Sequence, residues 1–149
     1  MDVNIGSCQA LAHLICLNTI PNLVCHAIGK FNTVSNVGES YAIDTQTWEC
    51  LAQQLTAATS TIPAAFGRQF RNLSTKMGLL VTEDWLNFLL YAARPIFATV
   101  YTTPETQPCL LLWDLLAETV EDCLLFSMCQ TNVDAIACRF IQFVQGYEA

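Results

Sequence analysis

Thr82 to Tyr101 reads TEDWLNFLLYAARPIFATVY, and the nature of the fold turns on it. Thr82 has the side chain of a helix N-cap, able to accept from an otherwise orphan amide of the first turn. Glu83 and Asp84 follow where the positive end of the helix dipole favours carboxylates. After them only Asn87, Tyr91 and Arg94 continue a polar line from Asp84, spaced by three, four and three residues, so one narrow stripe runs down an otherwise apolar cylinder. A helix apolar on most sides must be surrounded by other helices or by lipid, and this one is too short and too polar to span a bilayer. The stretch predicts the central helix of a helical bundle, kinked or ended at Pro95.

The composition agrees with a large apolar interior. The chain has 149 residues, 53% hydrophobic and 13% charged, with a net charge of −7. That length suits one domain, residues 1–149, and the apolar surplus exceeds that of an ordinary soluble domain. Six basic residues cannot supply a nucleic-acid footprint, so no nucleic-acid partner is expected. The eight cysteines, at 8, 16, 25, 50, 109, 123, 129 and 138, form no CxxC pair. Most fall on apolar helical positions, which fits reduced core thiols and neither a metal site nor a cofactor. Met1-Asp2 opens no signal peptide, and the polar interruptions between residues 3 and 29 argue against a membrane span.

Outward from the central stretch the pattern is helical throughout. Ile5, Cys8, Leu11, Ala12, Ile15 and Cys16 mark a first helix, broken at Pro21 and continuing from Asn22 to Phe31. Residues 32–40 read as a loop, and 41–58 as a second helix with Trp48, Leu51, Ala52 and Leu55 on one face. Pro63 suits the start of a third helix, which carries Phe66, Phe70, Leu73 and Met77 inward, Arg68, Arg71 and Lys76 outward, and ends at Gly78. Past a turn at residues 102–108, a long helix covers 110–125 with an acidic face of Asp114, Glu118, Glu121 and Asp122 that serves solubility. Asn132 caps the last helix, whose Val133, Ile136, Ala137, Phe140, Ile141 and Val144 keep a 3.6-residue period, with Gly146 as its C′ residue.

The residues at 63–94 resemble the Bcl-2 family. Pro63-x-x-Phe66-x-x-x-Phe70, then Leu73 and Met77, lead to Asp84-Trp85-Leu86-Asn87 at the start of an apolar helix, where that family has the Asn-Trp-Gly-Arg opening of its BH1 motif. Trp85 matches and Asp84 nearly matches, whereas Leu86 and Asn87 stand in place of Gly and Arg. At the BH2 position, Phe126 to Asp134, only Asp134 is kept. The chain resembles the divergent Bcl-2 homologues of large DNA viruses, fish iridoviruses among them.

The resemblance implies an all-α fold, a bundle of about seven to eight helices around the central helix at 82–101. It also implies an anti-apoptotic function in the host cytoplasm or at mitochondria. There a groove would bind the BH3 helices of pro-apoptotic host proteins. Carried over by position, the groove would be lined by Trp48, Leu51, Ala52, Leu55, Phe70, Leu73, Met77, Trp85, Asn87, Leu90, Phe143 and Tyr147. Any of these positions reads equally as core packing. With Asn87 where relatives carry arginine, binding should be selective. The apolar surplus also predicts a homodimer.

Two other functions compete. A Bcl-2-like adaptor could bind innate-signalling proteins by an outer face, with no use of the groove. An enzyme is not expected. Cys8 and His13 lie five apart on one helix, about 140° around it, and neither that pair nor Cys25-His26 brings an orienting third group.

Overall fold

A computed structural model of the chain describes residues 10, 12–31, 38–61, 69–125 and 127–149. Among these residues the protein is all-helical, with six helices and no strand. Helix α1 joins a π-helical run, Ala12–Thr19, to the α-helical Ile20–Ala27. α2 is Thr45–Ala58, and α3 is the short Leu73–Lys76 followed by a 3₁₀ turn, Met77–Leu79. The central helix α4 passes through Thr82–Asn87, a π-helical Phe88–Ala93 and Arg94–Phe97. α5 is Gln107–Cys123 and α6 is Gln130–Glu148.

Contacts divide the chain into two compact units, Met1–Phe88 and Leu89–Ala149, and the division falls inside α4. In the first unit the opening segment of α4 packs on the π-helical run of α1, and α2 packs on α3. Its core contains Ile20, Val24, Trp48, Leu73, Trp85 and Phe88, all nearly excluded from solvent, with Trp85 and Phe88 edge to face at 6.0 Å between ring centroids. In the second unit the closing segment of α4 packs on α5, and α5 packs along α6. Phe97 stacks on Trp113 at 4.5 Å and on Tyr101 at 5.6 Å, which makes a buried aromatic ladder.

The expected central helix is present but ends at Phe97, four residues early. Amides of Thr99 and Val100 donate back three residues, to Ile96 and Phe97, and this tightening closes the helix. Pro95 neither ends nor breaks it. The π-helical run lies immediately upstream, where the wider i→i−5 register relieves the crowding that a proline ring imposes on the preceding turn. Pro21 stands in the same relation to the π-helical run of α1, so the break predicted there is a change of helical register. Of the polar line, Asp84 is buried, Asn87 is half-buried, and Tyr91 and Arg94 are exposed.

Several helix ends differ from expectation, each for a local reason. α1 stops at Ala27, because Gly29 takes a φ of 69° and the amides of Gly29 and Lys30 turn back onto His26 and Cys25. α2 begins at Thr45, where Asp44 caps it by accepting from the Thr47 amide at 2.9 Å. The Thr47 hydroxyl, and after it that amide, hold the Asp44 carboxyl below its ordinary range. The start of the predicted third helix, with Pro63, Phe66 and Arg68, lies outside the described residues. Asn72 caps α3 from just ahead of Leu73, so Phe70 precedes the helix, and Gly78 sits within the 3₁₀ turn. At α4 the capping acceptor is the Asp84 carboxylate, which takes the Val81 amide at 3.0 Å, in place of the Thr82 hydroxyl.

α5 starts earlier than expected, at Gln107, with Pro108 in its first turn where a missing amide costs nothing. α6 also starts earlier, at Gln130, and Asn132 reaches back to the Cys129 amide at 3.0 Å. Gly146 lies inside α6 and does not end it. A methyl group there would meet Leu112 Cδ2 at 2.8 Å, so the glycine permits close approach of α5 and α6.

Two outcomes test this packing. Leu89 is 1% exposed and Tyr91 is 64% exposed on the same helix. Leu89→Ala should cost about 2–5 kcal/mol in denaturant unfolding, and Tyr91→Ala should change stability by no more than about 0.5 kcal/mol. Gly146→Ala should gain the full helix-propensity benefit of about 1 kcal/mol only in a Leu112→Ala background. In the parent, displacement of Leu112 should remove most of that gain; equal gains in both backgrounds would mean the helices do not meet there.

Candidate functional site

Of the twelve positions predicted to line a groove, nine fall in the unit Met1–Phe88 and three in the unit Leu89–Ala149. In the first unit α2 presents Trp48, Leu51 and Ala52 inward at 1%, 7% and 0% exposure, and Leu55 is half-buried one turn on. The i, i+3, i+4, i+7 spacing that made these four one face therefore places three of them in the core. Leu73 and Trp85 are likewise buried, while Phe70, Met77 and Asn87 are half-buried. In the second unit Leu90 is half-buried, and buried Phe143 stacks in parallel on exposed Tyr147 at 6.3 Å.

Two features of the first unit escape sequence reading. The Cys25 thiol donates to the Met77 sulfur at 3.7 Å across 52 residues, so Met77 packs against α1. The indole N–H of Trp48 is buried with no acceptor among the described residues. An unpaired buried donor of this kind costs about 1–3 kcal/mol. No local pattern announces either feature, since both depend on which helix packs opposite.

The charged positions sort into paired and free groups. Arg94 pairs with Asp114, and Arg139 pairs with Asp122, so two of the four carboxylates on the acidic face of α5 are neutralised within the unit. Glu118 and Glu121 stay exposed. Arg71 is exposed and donates to the Leu79 carbonyl at 2.8 Å, which anchors its guanidinium beside the loop into α4.

The cysteine–histidine pairs weighed for catalysis are placed as follows. Cys8 lies outside the described residues, and His13 is exposed. Cys25 is engaged with Met77, and His26 Nε2 lies 3.3 Å from the Tyr41 hydroxyl, with the Phe31 ring edge-on to the imidazole. Burial pushes the thiols of Cys16, Cys25, Cys109 and Cys123 up. Among the described residues no group of three His, Cys, Asp or Glu could hold a metal ion, and no helix is long and apolar enough to cross a membrane. Cys129 differs from the other thiols. It is the exposed N-cap of α6, and the Asn132 amide aimed at its sulfur holds the thiol below its ordinary range. The spacing Cys-x-x-Asn ahead of an apolar period is the sequence signature of this cap.

Comparisons of the chain with protein-family models, with curated proteins and with solved structures find no match.

Cys129 should therefore react with iodoacetamide at neutral pH faster than any other described cysteine, and buried Cys16 should react slowest. Peptide mapping after brief labelling checks the order. Faster labelling of Cys25 would show an activated thiol beside His26.

Proposed function

We propose that this chain is a Bcl-2-like anti-apoptotic protein that binds BH3 helices of pro-apoptotic host proteins, with a narrow choice of ligand. The observation that carries the reading is Trp85, buried at the start of an apolar central helix and packed edge to face on Phe88. A tryptophan opening the central helix is the part of the BH1 pattern that this sequence keeps. The all-helical architecture supports the same reading, as does the preceding short helix with Leu73 buried. Within the first unit the half-buried Leu55, Phe70, Met77 and Asn87 are the positions a ligand helix could reach without unfolding the core. The resemblance also names Leu90, Phe143 and Tyr147, which lie in the second unit. The protein would act in the host cytoplasm or at mitochondria.

Asn87 sets the expected selectivity. In the family, the arginine at this place pairs with the aspartate that marks BH3 helices, a charge-assisted contact worth about 1.5–3 kcal/mol. Asn87 can hydrogen-bond a carboxylate but brings no charge. Arg71 is already held on the Leu79 carbonyl. Apolar anchors of the ligand would then supply most of the affinity.

The burial of Trp48, Leu51 and Ala52 favours a second reading, an adaptor of the same fold that binds signalling proteins by an outer face. Titration of a panel of BH3 peptides separates the two, since an adaptor should bind none of them. In the tightest-binding peptide, aspartate-to-alanine replacement should weaken binding by no more than about tenfold, equivalent to about 1.4 kcal/mol. A loss of several hundredfold would mean that a cation has taken the place of the family arginine, and the role given to Asn87 would fall.

A further inference from the structure

Met77 carries a chemistry that helix binding does not use. Its sulfur accepts from the Cys25 thiol at 3.7 Å, and this contact ties the turn after α3 to the last turn of α1, 52 residues back in the chain. Both side chains are half-buried, so neither sulfur is sealed from small solutes. The approach beside them is open: a methyl group placed on Gly78 would meet no atom of the described residues within 4 Å, and Leu79 is 61% exposed. The two sulfurs differ in how they are oxidised. A thiol reacts with peroxide through its thiolate, and burial pushes the Cys25 thiol up, against the smaller pull of the Lys30 ammonium. A thioether needs no deprotonation, so at neutral pH Met77 is the member of the pair that peroxide attacks first.

We propose that Met77 is an oxidation switch: hydrogen peroxide converts its thioether to a sulfoxide, which releases the turn after α3 from Cys25 and weakens the binding of a ligand helix there. In that step one peroxide oxygen bonds to the Met77 sulfur, the O–O bond breaks, and the other oxygen leaves as water. Sulfur loses two electrons and the peroxide gains them. A dithiol-dependent sulfoxide reductase reverses the change and yields thioether, disulfide and water. The sulfoxide is polar where the thioether was apolar, and a polar group left unpaired beside apolar neighbours is costly. Turning it outward to water removes that cost and parts Met77 from Cys25. Met77 is also one of the four half-buried positions open to a ligand helix, so the effect on binding rests on the BH3-binding reading. The release of Cys25 does not.

The test treats the full chain with hydrogen peroxide until peptide mapping shows Met77 as the sulfoxide. Dithiothreitol then returns oxidised thiols to the free state and leaves the sulfoxide in place. Iodoacetamide should label Cys25 several-fold faster than in untreated protein, and the tightest-binding BH3 peptide should bind several-fold more weakly. Met77→Leu keeps the apolar volume and cannot form a sulfoxide, so peroxide should change neither readout in that variant. The switch is overturned if Met77 stays a thioether while exposed Met128 is fully oxidised. It is equally overturned if Cys25 labelling stays within twofold once Met77 is oxidised, or if Met77→Leu responds as the parent does. Faster Cys25 labelling with unchanged peptide affinity would overturn the effect on the ligand. If untreated protein binds no BH3 peptide, the BH3-binding reading fails, and Cys25 labelling alone decides whether the sulfur contact opens.

Discussion

Burial of α4 is the constraint on which the rest of the structure depends. Trp85 and Phe88 complete the core of one compact unit; Leu89, Ala92, Ala93, Ile96 and Phe97 are buried in the next stretch of the same helix. Together these side chains leave little of α4 for solvent beyond Glu83, Tyr91, Arg94 and Pro95. Each large one removes about 1.5–3 kcal/mol worth of apolar surface from water. The opening segment of α4 takes its cover from α1 in the first unit, and the closing segment takes its cover from α5 in the second.

A helix so enclosed must also satisfy its own main chain, and here the prolines decide the geometry. Pro95 brings no amide, and its ring crowds the turn before it. Two residues upstream of the proline a π-helical run ends, and the same relation holds in α1 between Ala12–Thr19 and Pro21. In α1 the Thr19 hydroxyl donates to the Leu14 carbonyl five residues back, so a side chain supplements the wider register. The repeated pairing of proline with a widened turn explains how α4 stays continuous where a sharp kink was the simpler expectation.

What could be read from the sequence follows from the same physics. The apolar cylinder at 82–101 was legible because nearly all its sides are hydrophobic, and a helix of that kind has only one kind of place to go. Its ends were less legible. Capping residues such as Thr82 and Asn132 occur near a helix start whether they cap it or sit inside it, and the choice depends on which acceptor reaches an amide first. Gly146 reads as a terminator until α5 is placed beside it, because its reason is Leu112 and not its own backbone. The candidate groove was the least legible part. Trp48, Leu51 and Ala52 have the spacing of a binding stripe and the burial of a core, and only a neighbouring helix can decide between the two.

Trp48 shows where that decision left a cost. Its ring is 1% exposed and its N–H has no acceptor among the described residues, so the side chain is retained for its apolar area in spite of its polar atom. In α2 the alternative would be to turn the indole outward, which would expose the largest side chain of the helix to water. Burial of an aromatic ring outweighs a single unmade hydrogen bond when the two are compared at about 25 cal/mol per Å² against about 1–3 kcal/mol. A chain with 53% hydrophobic residues can meet that cost in its core. The same excess leaves Leu111, Ile141 and Val144 at the surface, because the six helices of the described residues offer fewer inward positions than this sequence has apolar side chains to fill.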